Sequence, residues 1–239
     1  AIEQCRKLTI RMAEKSEHAM DLALSLIQNF DPEVYNTVRE TEARIDVYED
    51  RLGTYLVGLS ARSLSQADSR EVSRLLHTIG DFERISDHAV EIAKAAEEMH
   101  TKEIHFSTDA QGEVDVISAA VRRVLHISIE SFTTGDVKLA FQVEPLEQVV
   151  DHLRSTMKNR HIARLQEGSC TIELGFIFSD LLTSFERVSD HCSNIAVCVS
   201  QIHSGSFDTH EYLHALKKEE EFESEYKELK KQYQLPTLK

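Results

Sequence analysis

The sequence predicts an all-α protein made of two tandem three-helix bundles packed side by side, with one further helix at the C-terminus. Glycine and proline are scarce, with 8 Gly and 3 Pro in 239 residues, and a turn-rich β fold needs far more chain reversals. Apolar residues recur at three- and four-residue steps over long stretches, as they do along one face of a helix. The second half of the chain also repeats the first half.

The first half predicts three helices, over about 3–29, 32–61 and 69–100. Ile10, Met20 and Ile27 lie on the apolar face of the first helix. Asp31-Pro32 starts the second, because Asp caps helices and Pro is favoured at the first helical position. We assign residues 1–104 to a first three-helix repeat.

The second half predicts the same arrangement, with helices over about 109–132, 136–167 and 170–202. We assign residues 105–204 to the second repeat and 205–239 to a C-terminal helix over about 209–233. Pro145 stands where the first repeat has Glu40. It is expected to kink the fifth helix, because proline lacks a backbone donor and clashes with the preceding turn.

Two fixed offsets relate the halves. An offset of 105 residues relates the second helices, and an offset of 103 relates the third helices. The slip of two residues falls in a loop, where deletions are tolerated. The matched positions are Asp31, Glu42, Asp46 and Leu52 with Asp136, Glu147, Asp151 and Met157, and Phe82, Glu83, Arg84, Ser86, Asp87, His88, Ile92 and Ala93 with Phe185, Glu186, Arg187, Ser189, Asp190, His191, Ile195 and Ala196.

The composition excludes several classes of protein. A net charge of −14 repels nucleic acid, so no nucleic-acid partner is expected. The four cysteines form no C-x-x-C pair, which argues against a zinc site or a disulfide framework. No apolar run approaches the ~18–20 residues that cross a bilayer.

Paired carboxylates are the chemical feature that both halves keep. Residues four apart share a helix face, so each half brings two E-x-x-x-D pairs together from neighbouring helices. Such a cluster binds a hard cation or protonates in part. We expect an exposed patch, because these acids lie near the side of the third helix that is opposite its buried apolar seam. A solvated acidic face neutralised by Arg84 and Arg187 is the alternative. The pairs are Glu42 with Asp46, Glu83 with Asp87, Glu147 with Asp151, and Glu186 with Asp190.

Other motifs indicate no catalysis. His88 and His191 follow the aspartates directly, and we interpret both as half-buried histidines that hydrogen-bond another helix. A di-iron oxidase needs duplicated Glu-x-x-His pairs inside the bundle. Glu97–His100 and Glu211–His214 match the string, but neither is duplicated. No Gly-rich phosphate loop and no G-x-S-x-G elbow occurs, so we predict that the chain is not an enzyme.

The strings Phe82-Glu83-Arg84-Ile85-Ser86-Asp87-His88 and Phe185-Glu186-Arg187-Val188-Ser189-Asp190-His191, each followed by Ile-Ala, resemble the signature of the PhoU family. The resemblance covers almost the whole chain. It implies two three-helix bundles and metal ions (Fe, Mn, Mg, Zn or Ca) on the acidic patches. Asn194 stands where the family usually has Asn, whereas the first copy has Glu91 there. The metal candidates that the resemblance implies are Glu42, Asp46, Glu83, Asp87, Glu147, Asp151, Glu186, Asp190 and Asn194.

The resemblance also implies a regulatory role in phosphate uptake. We favour the cytoplasmic C-terminal region of a Na⁺/phosphate cotransporter, tethered to the inner face of the cell membrane by a segment outside this chain. A free-standing PhoU regulator of a phosphate ABC transporter and its sensor kinase is one alternative, and a metal-free helical scaffold is another. The expected partners are a transporter membrane domain, phosphate-signalling proteins, a second copy of the chain, or inorganic phosphate held through the metal.

Overall fold

The computed structural model describes residues 1–204 and 220–238, with backbone only for 202–204. The described residues are helical or lie in connecting segments, and none of them forms a strand. The described residues form eight helices in this order: α1 Ile2–Gln28, α2 Pro32–Ser60, α3 Gln66–Thr101, α4 Thr108–Thr134, α5 Val137–Phe141, α6 Val143–Gln166, α7 Ile172–Ser204 and α8 Glu220–Gln232.

Side-chain caps set the starts of the helices. The carboxylate of Asp31 accepts a hydrogen bond from the backbone N–H of Glu33, and Pro32 takes the first position of α2, as predicted. The hydroxyl of Ser65 accepts from the N–H of Asp68. This cap starts α3 at Gln66, three residues before the predicted start, because Ser65 satisfies an N–H that the first turn leaves without a partner.

The prediction of one continuous fifth helix over 136–167 is wrong. The chain forms two helices there, α5 and α6, separated at Gln142. Pro145 is the third residue of α6, and its ring would clash with the carbonyl of Phe141, four residues earlier. The proline therefore interrupts the helix at Gln142, within one turn of the predicted kink.

The core runs along α3 and α7, the third long helix of each repeat. Phe82, Ile85, Ala89 and Ile92 are buried, which confirms the predicted seam of α3. The α3 helix packs against α1, α2 and α7, and the α4 helix packs against α1. The predicted fold class, two three-helix bundles side by side, is therefore confirmed. Phe82 meets Phe132 edge-on across this interface, with ring centroids 5.2 Å apart.

The C-terminal helix α8 packs on α6 of the second repeat. Phe222 is buried, and Tyr226, Leu229 and Tyr233 pack half-buried against the core. The predicted helix over 209–233 is described only from Glu220 onward, and its earlier residues lie outside the described part. None of the described helices is long and apolar enough to cross a membrane.

Candidate acidic sites and the contact between the repeats

The first acidic patch joins α2 and α3. The carboxyl group of Asp87 is close enough to those of Glu42 and Glu83 to raise the pKa of each, so these three groups are neighbours. All three are half-buried, whereas Asp46 is exposed. The expectation of an exposed patch is therefore correct for Asp46 only, because the other three lie in the groove between the two helices.

Crowding and burial shift the protonation of this patch. Burial, followed by the hydrogen bond and the charge of Asp87, raises the pKa of Glu83 to about 7, and the charge of Glu49 adds to it. Burial and then the charge of Asp87 also raise the pKa of Glu42. Among the described residues, none of these carboxylates forms an ion pair within 4.0 Å. The patch therefore holds an excess of negative charge that a proton or a cation relieves.

The second acidic patch joins α6 and α7 and carries its own cation. Nη2 of Arg154 lies 2.8 Å from Oε2 of Glu186. Burial, followed by the charge of Glu186, raises the pKa of Asp190. Asp151 is exposed, and Glu147 accepts a hydrogen bond from Nε2 of Gln148 at 3.1 Å. The two patches are thus unequal, although their predicted ligands correspond.

Arg154 explains the difference between the patches, and the sequence analysis missed it. The offset of 105 residues pairs Arg154 with Glu49. An acid that raises the pKa of Glu83 in the first patch is therefore replaced by a base that pairs with Glu186 in the second. The repeat alignment contained this signal, because it compares the two positions directly.

Asn194, a predicted metal ligand of the second patch, hydrogen-bonds a residue of the first repeat. Its amide nitrogen donates to Oδ1 of Asp81 at 3.3 Å, and Nδ1 of His191 lies 2.8 Å from the same oxygen. Asp81 is 9% exposed. The predicted hydrogen bond between a histidine and another helix is confirmed for His191.

His88 behaves differently from its counterpart. Its Nδ1 is buried and has no hydrogen-bond partner among the described residues, and burial lowers its pKa. Its ring centroid lies 6.1 Å from that of His191. The position equivalent to Asp81 in the second repeat is Ser184, so no carboxylate is available there for His88. The predicted hydrogen bond is therefore wrong for His88 among the described residues.

The side chains of the first patch have the right chemistry to bind a metal ion, but they do not converge on one position. Carboxylate oxygens are the ligands that Mg²⁺, Mn²⁺ and Ca²⁺ prefer. No group of three or more His, Cys, Asp or Glu side chains in the described residues converges on a single metal position. Binding of an ion to Glu42, Glu83 and Asp87 therefore requires side-chain rotation and water ligands.

The described residues contain only one of the two Glu-x-x-His strings that the di-iron alternative would need. The ring of His100 stacks on Phe30, with centroids 4.7 Å apart, at the C-terminal end of α3. Glu211 and His214 lie outside the described residues. Glu97 and His100 are therefore placed at a helix end, where they contact no described duplicate of the motif.

The PhoU domain model matches residues 9–96 and 114–199, one match in each repeat. The chain belongs to the PhoU family. Its PhoU relatives include the phosphate-specific transport system accessory protein PhoU homolog of Pseudomonas aeruginosa, 25% identical over 92% of this chain and 90% of the relative. The PhoU homolog 1 of Thermotoga maritima is 26% identical over an alignment that covers 57% of this chain and 58% of that protein.

Solved PhoU structures share the fold. The crystal structure of PhoU from Pseudomonas aeruginosa aligns with a TM-score of 0.79 and 24% identity, covering 85% of this chain and 97% of that one. The regulatory protein PhoU from Streptococcus pneumoniae aligns with a TM-score of 0.75 and 16% identity, covering 86% and 96%. Membership in this family of accessory and regulatory proteins confirms the prediction that the chain is not an enzyme.

Proposed function

We propose that this chain is a regulatory domain of phosphate transport that acts through its acidic patches. The supporting observation is the crowded first patch, where the pKa of Glu83 rises to about 7 within a PhoU repeat. Carboxylates held this close favour a bound cation. The relatives are named accessory proteins of phosphate-specific transport systems, which supports the free-standing type of regulator over the cotransporter domain that we favoured from the sequence.

The two patches are expected to bind a cation with different affinities. In the first, Glu42, Glu83 and Asp87 would hold an ion, with Asp46 close to solvent. In the second, Arg154 already balances Glu186, so that Asp151, Asp190 and Glu147 would bind a cation more weakly. A bound divalent ion supplies positive charge at the surface of an otherwise acidic protein. A partner with exposed carboxylate or phosphate groups can then dock there.

The proposed partners are a phosphate transporter or a phosphate-signalling protein at the cytoplasmic side of the membrane. Inorganic phosphate would act as a further ligand of a bound ion. Fe, Mn, Mg, Zn and Ca all remain candidates for that ion, since hard oxygen ligands accept each of them to different degrees. A metal-free helical scaffold is the competing function.

Metal content and partner binding test the proposal together. The protein is purified without chelator, loaded in turn with each ion, and analysed by plasma mass spectrometry beside a Glu83→Gln/Asp87→Asn variant. We expect close to one ion per chain in the wild type and a clear loss in the variant. Exposed Glu40→Gln on α2 is the matched control and is expected to keep the metal. Equal metal content in all three proteins, or none in any, would favour the scaffold.

A further inference from the structure

A cleft at the end of the second repeat is separate from both acidic patches. It has a volume of about 250 Å³ and lies between the starts of α4 and α7 and the last turns of α6. This volume suits a ligand of a few heavy atoms, since one water occupies about 30 Å³ of liquid. The lining residues are His105, Phe106, Ser107, Ala110, His161, Arg164, Ser169, Cys170, Thr171, Leu174 and Phe178.

The charge of this cleft is opposite to that of the rest of the molecule. The chain has 41 acidic residues, but none of the eleven that line the cleft is acidic. Arg164 binds buried Glu113 through two N–H groups at 3.0 Å, and Arg160 shares the same carboxylate at 3.3 Å. Two guanidinium groups thus face one carboxylate, and three of the five N–H donors of Arg164 are not used by Glu113.

His161 is the polar side chain that is built into the cleft without a partner. It is 7% exposed, and it makes no hydrogen bond to any described residue. Its ring packs against Phe178, with centroids 5.0 Å apart. Burial, followed by the charge of Arg164, lowers the pKa of His161, so the neutral ring keeps one N–H to donate. The ring lines the cleft, so a ligand bound there can accept this N–H.

The first repeat has apolar residues at the positions that match this cleft. The offsets of 105 and 103 residues pair His161 and Arg164 with Leu56 and Leu59, and Gly175 with Val72. All three first-repeat residues are buried apolar side chains. At Gly175 a Cβ atom would lie 3.1 Å from Cε1 of His161, so the glycine leaves room for the ring. The second repeat has therefore replaced ordinary core packing with polar groups and space.

Helix starts and hydroxyls complete the lining. The Ser107 hydroxyl accepts from the N–H of Ala110 at the start of α4, and the Thr171 hydroxyl accepts from the N–H of Leu174 at the start of α7. Two helix N-termini, each with a partial positive charge, thus meet beside Arg164.

From this arrangement we infer that the cleft binds a small phosphate-type oxyanion through Arg164 and His161, with no metal ion involved.

The test uses inorganic phosphate and the full chain stripped of metal by chelator, so that it is independent of the acidic patches. Phosphate is titrated at constant ionic strength with chloride as the reference anion. Histidine side-chain NMR and calorimetry follow the binding. We expect saturable binding of one phosphate per chain, with the His161 signals shifting. Titration with glycerol phosphate then shows whether the cleft prefers the free anion or a phosphate monoester.

Two variants remove the site with little risk to folding, because each introduces a residue compatible with a buried helix. His161→Leu installs the residue of the first repeat, and Gly175→Ala pushes a methyl group against the His161 ring. Each should weaken phosphate binding by at least about tenfold, as expected for the loss of a hydrogen bond to a charged group. His77→Leu, at an exposed position on α3, is the control and should bind like the wild type. Absence of saturable binding in the wild type, or unchanged binding in both variants, would overturn the inference.

Discussion

Nδ1 of His191 on α7 lies 2.8 Å from Oδ1 of Asp81 on α3, and this polar contact joins the two repeats. The amide of Asn194 donates to the same oxygen. The corresponding pair in the other direction is His88 and Ser184, where no such bond forms among the described residues. The Asp81–His191 contact therefore has no counterpart in the other direction among the described residues.

Asp81→Ala should destabilise the protein through this contact. It removes the acceptor of both His191 and Asn194, so we expect a loss of about 1.5–3 kcal/mol in the free energy of unfolding. Urea unfolding followed by circular dichroism measures the change. Asp50→Ala, at an exposed position on α2, should stay within about 0.5 kcal/mol of the wild type. Equal effects of the two substitutions would show that the contact contributes nothing specific.

The stability of the metal-free protein should fall as the pH rises from about 4.5 to about 7. The pKa of Glu83 is raised to about 7 in the fold, so the folded protein holds a proton that the unfolded chain releases near its ordinary value of 4.5. The stabilisation is therefore complete below about pH 4.5 and is lost as the pH passes 7. Glu83→Gln should reduce this slope, and Asp190, whose pKa is also raised, should retain part of it.

Urea unfolding at pH 5.0 and 7.5, with chelator present, tests the pH effect. Glu40→Gln on α2 is the control, and its stability difference between the two pH values should equal that of the wild type. A Glu83→Gln variant with the full wild-type difference would contradict the assignment of this proton to Glu83.

A reciprocal exchange should transfer the stronger cation site between the patches. Glu49→Arg gives the first patch the base that the second has at Arg154, and it should weaken Mn²⁺ binding there. Arg154→Glu frees Glu186 and should strengthen binding at the second patch. Each change should shift the affinity of its own patch by at least about tenfold, because a neighbouring unit charge is worth more than 1.4 kcal/mol at short range.

Mn²⁺ titration followed by water-proton relaxation measures these affinities. The double exchange is the internal control, since it should leave the number of bound ions close to that of the wild type. Identical Mn²⁺ binding in both single variants would show that residues 49 and 154 do not govern the patches.

Glu113→Ala should be the most damaging substitution in the second repeat. Glu113 is fully buried and balances Arg164 and Arg160, so its removal leaves buried positive charge without a partner. We expect a loss of about 3–5 kcal/mol in the free energy of unfolding, measured by chemical denaturation. Glu228→Ala breaks a surface ion pair with Lys231 and should cost less than about 1 kcal/mol. A mild effect at Glu113 would mean that water compensates both arginines.

The sequence predicted the helices and the apolar seam because both depend on local periodicity. Phe82 and Ile85 are buried where the three- and four-residue pattern placed them. The break at Gln142 was predicted only as a kink, because the sequence shows where a proline lies but not whether the helix restarts. The partners of Asp87 followed from spacing on two adjacent helices.

Contacts between residues far apart in the sequence could not be predicted, because no local rule specifies them. Asp81 precedes the signature directly, yet its partner His191 lies 110 residues further along the chain. Its counterpart Ser184 differs from it, so the repeat gave no signal. The ion pair of Arg164 with Glu113 likewise spans 51 residues and has no equivalent in the first repeat, where Leu59 occupies the position of Arg164.

The reactivity of Cys192 reports how often α7 separates from the helices packed against it. It is fully buried on α7, and burial raises the pKa of its thiol to about 12, while that of Cys198 rises to about 11. Only the thiolate attacks alkylating reagents, so neither group reacts appreciably at neutral pH while α7 stays packed. The alkylation rate of Cys192 therefore measures how often α7 separates from its neighbouring helices. A ligand or partner that holds the two repeats together will lower this rate.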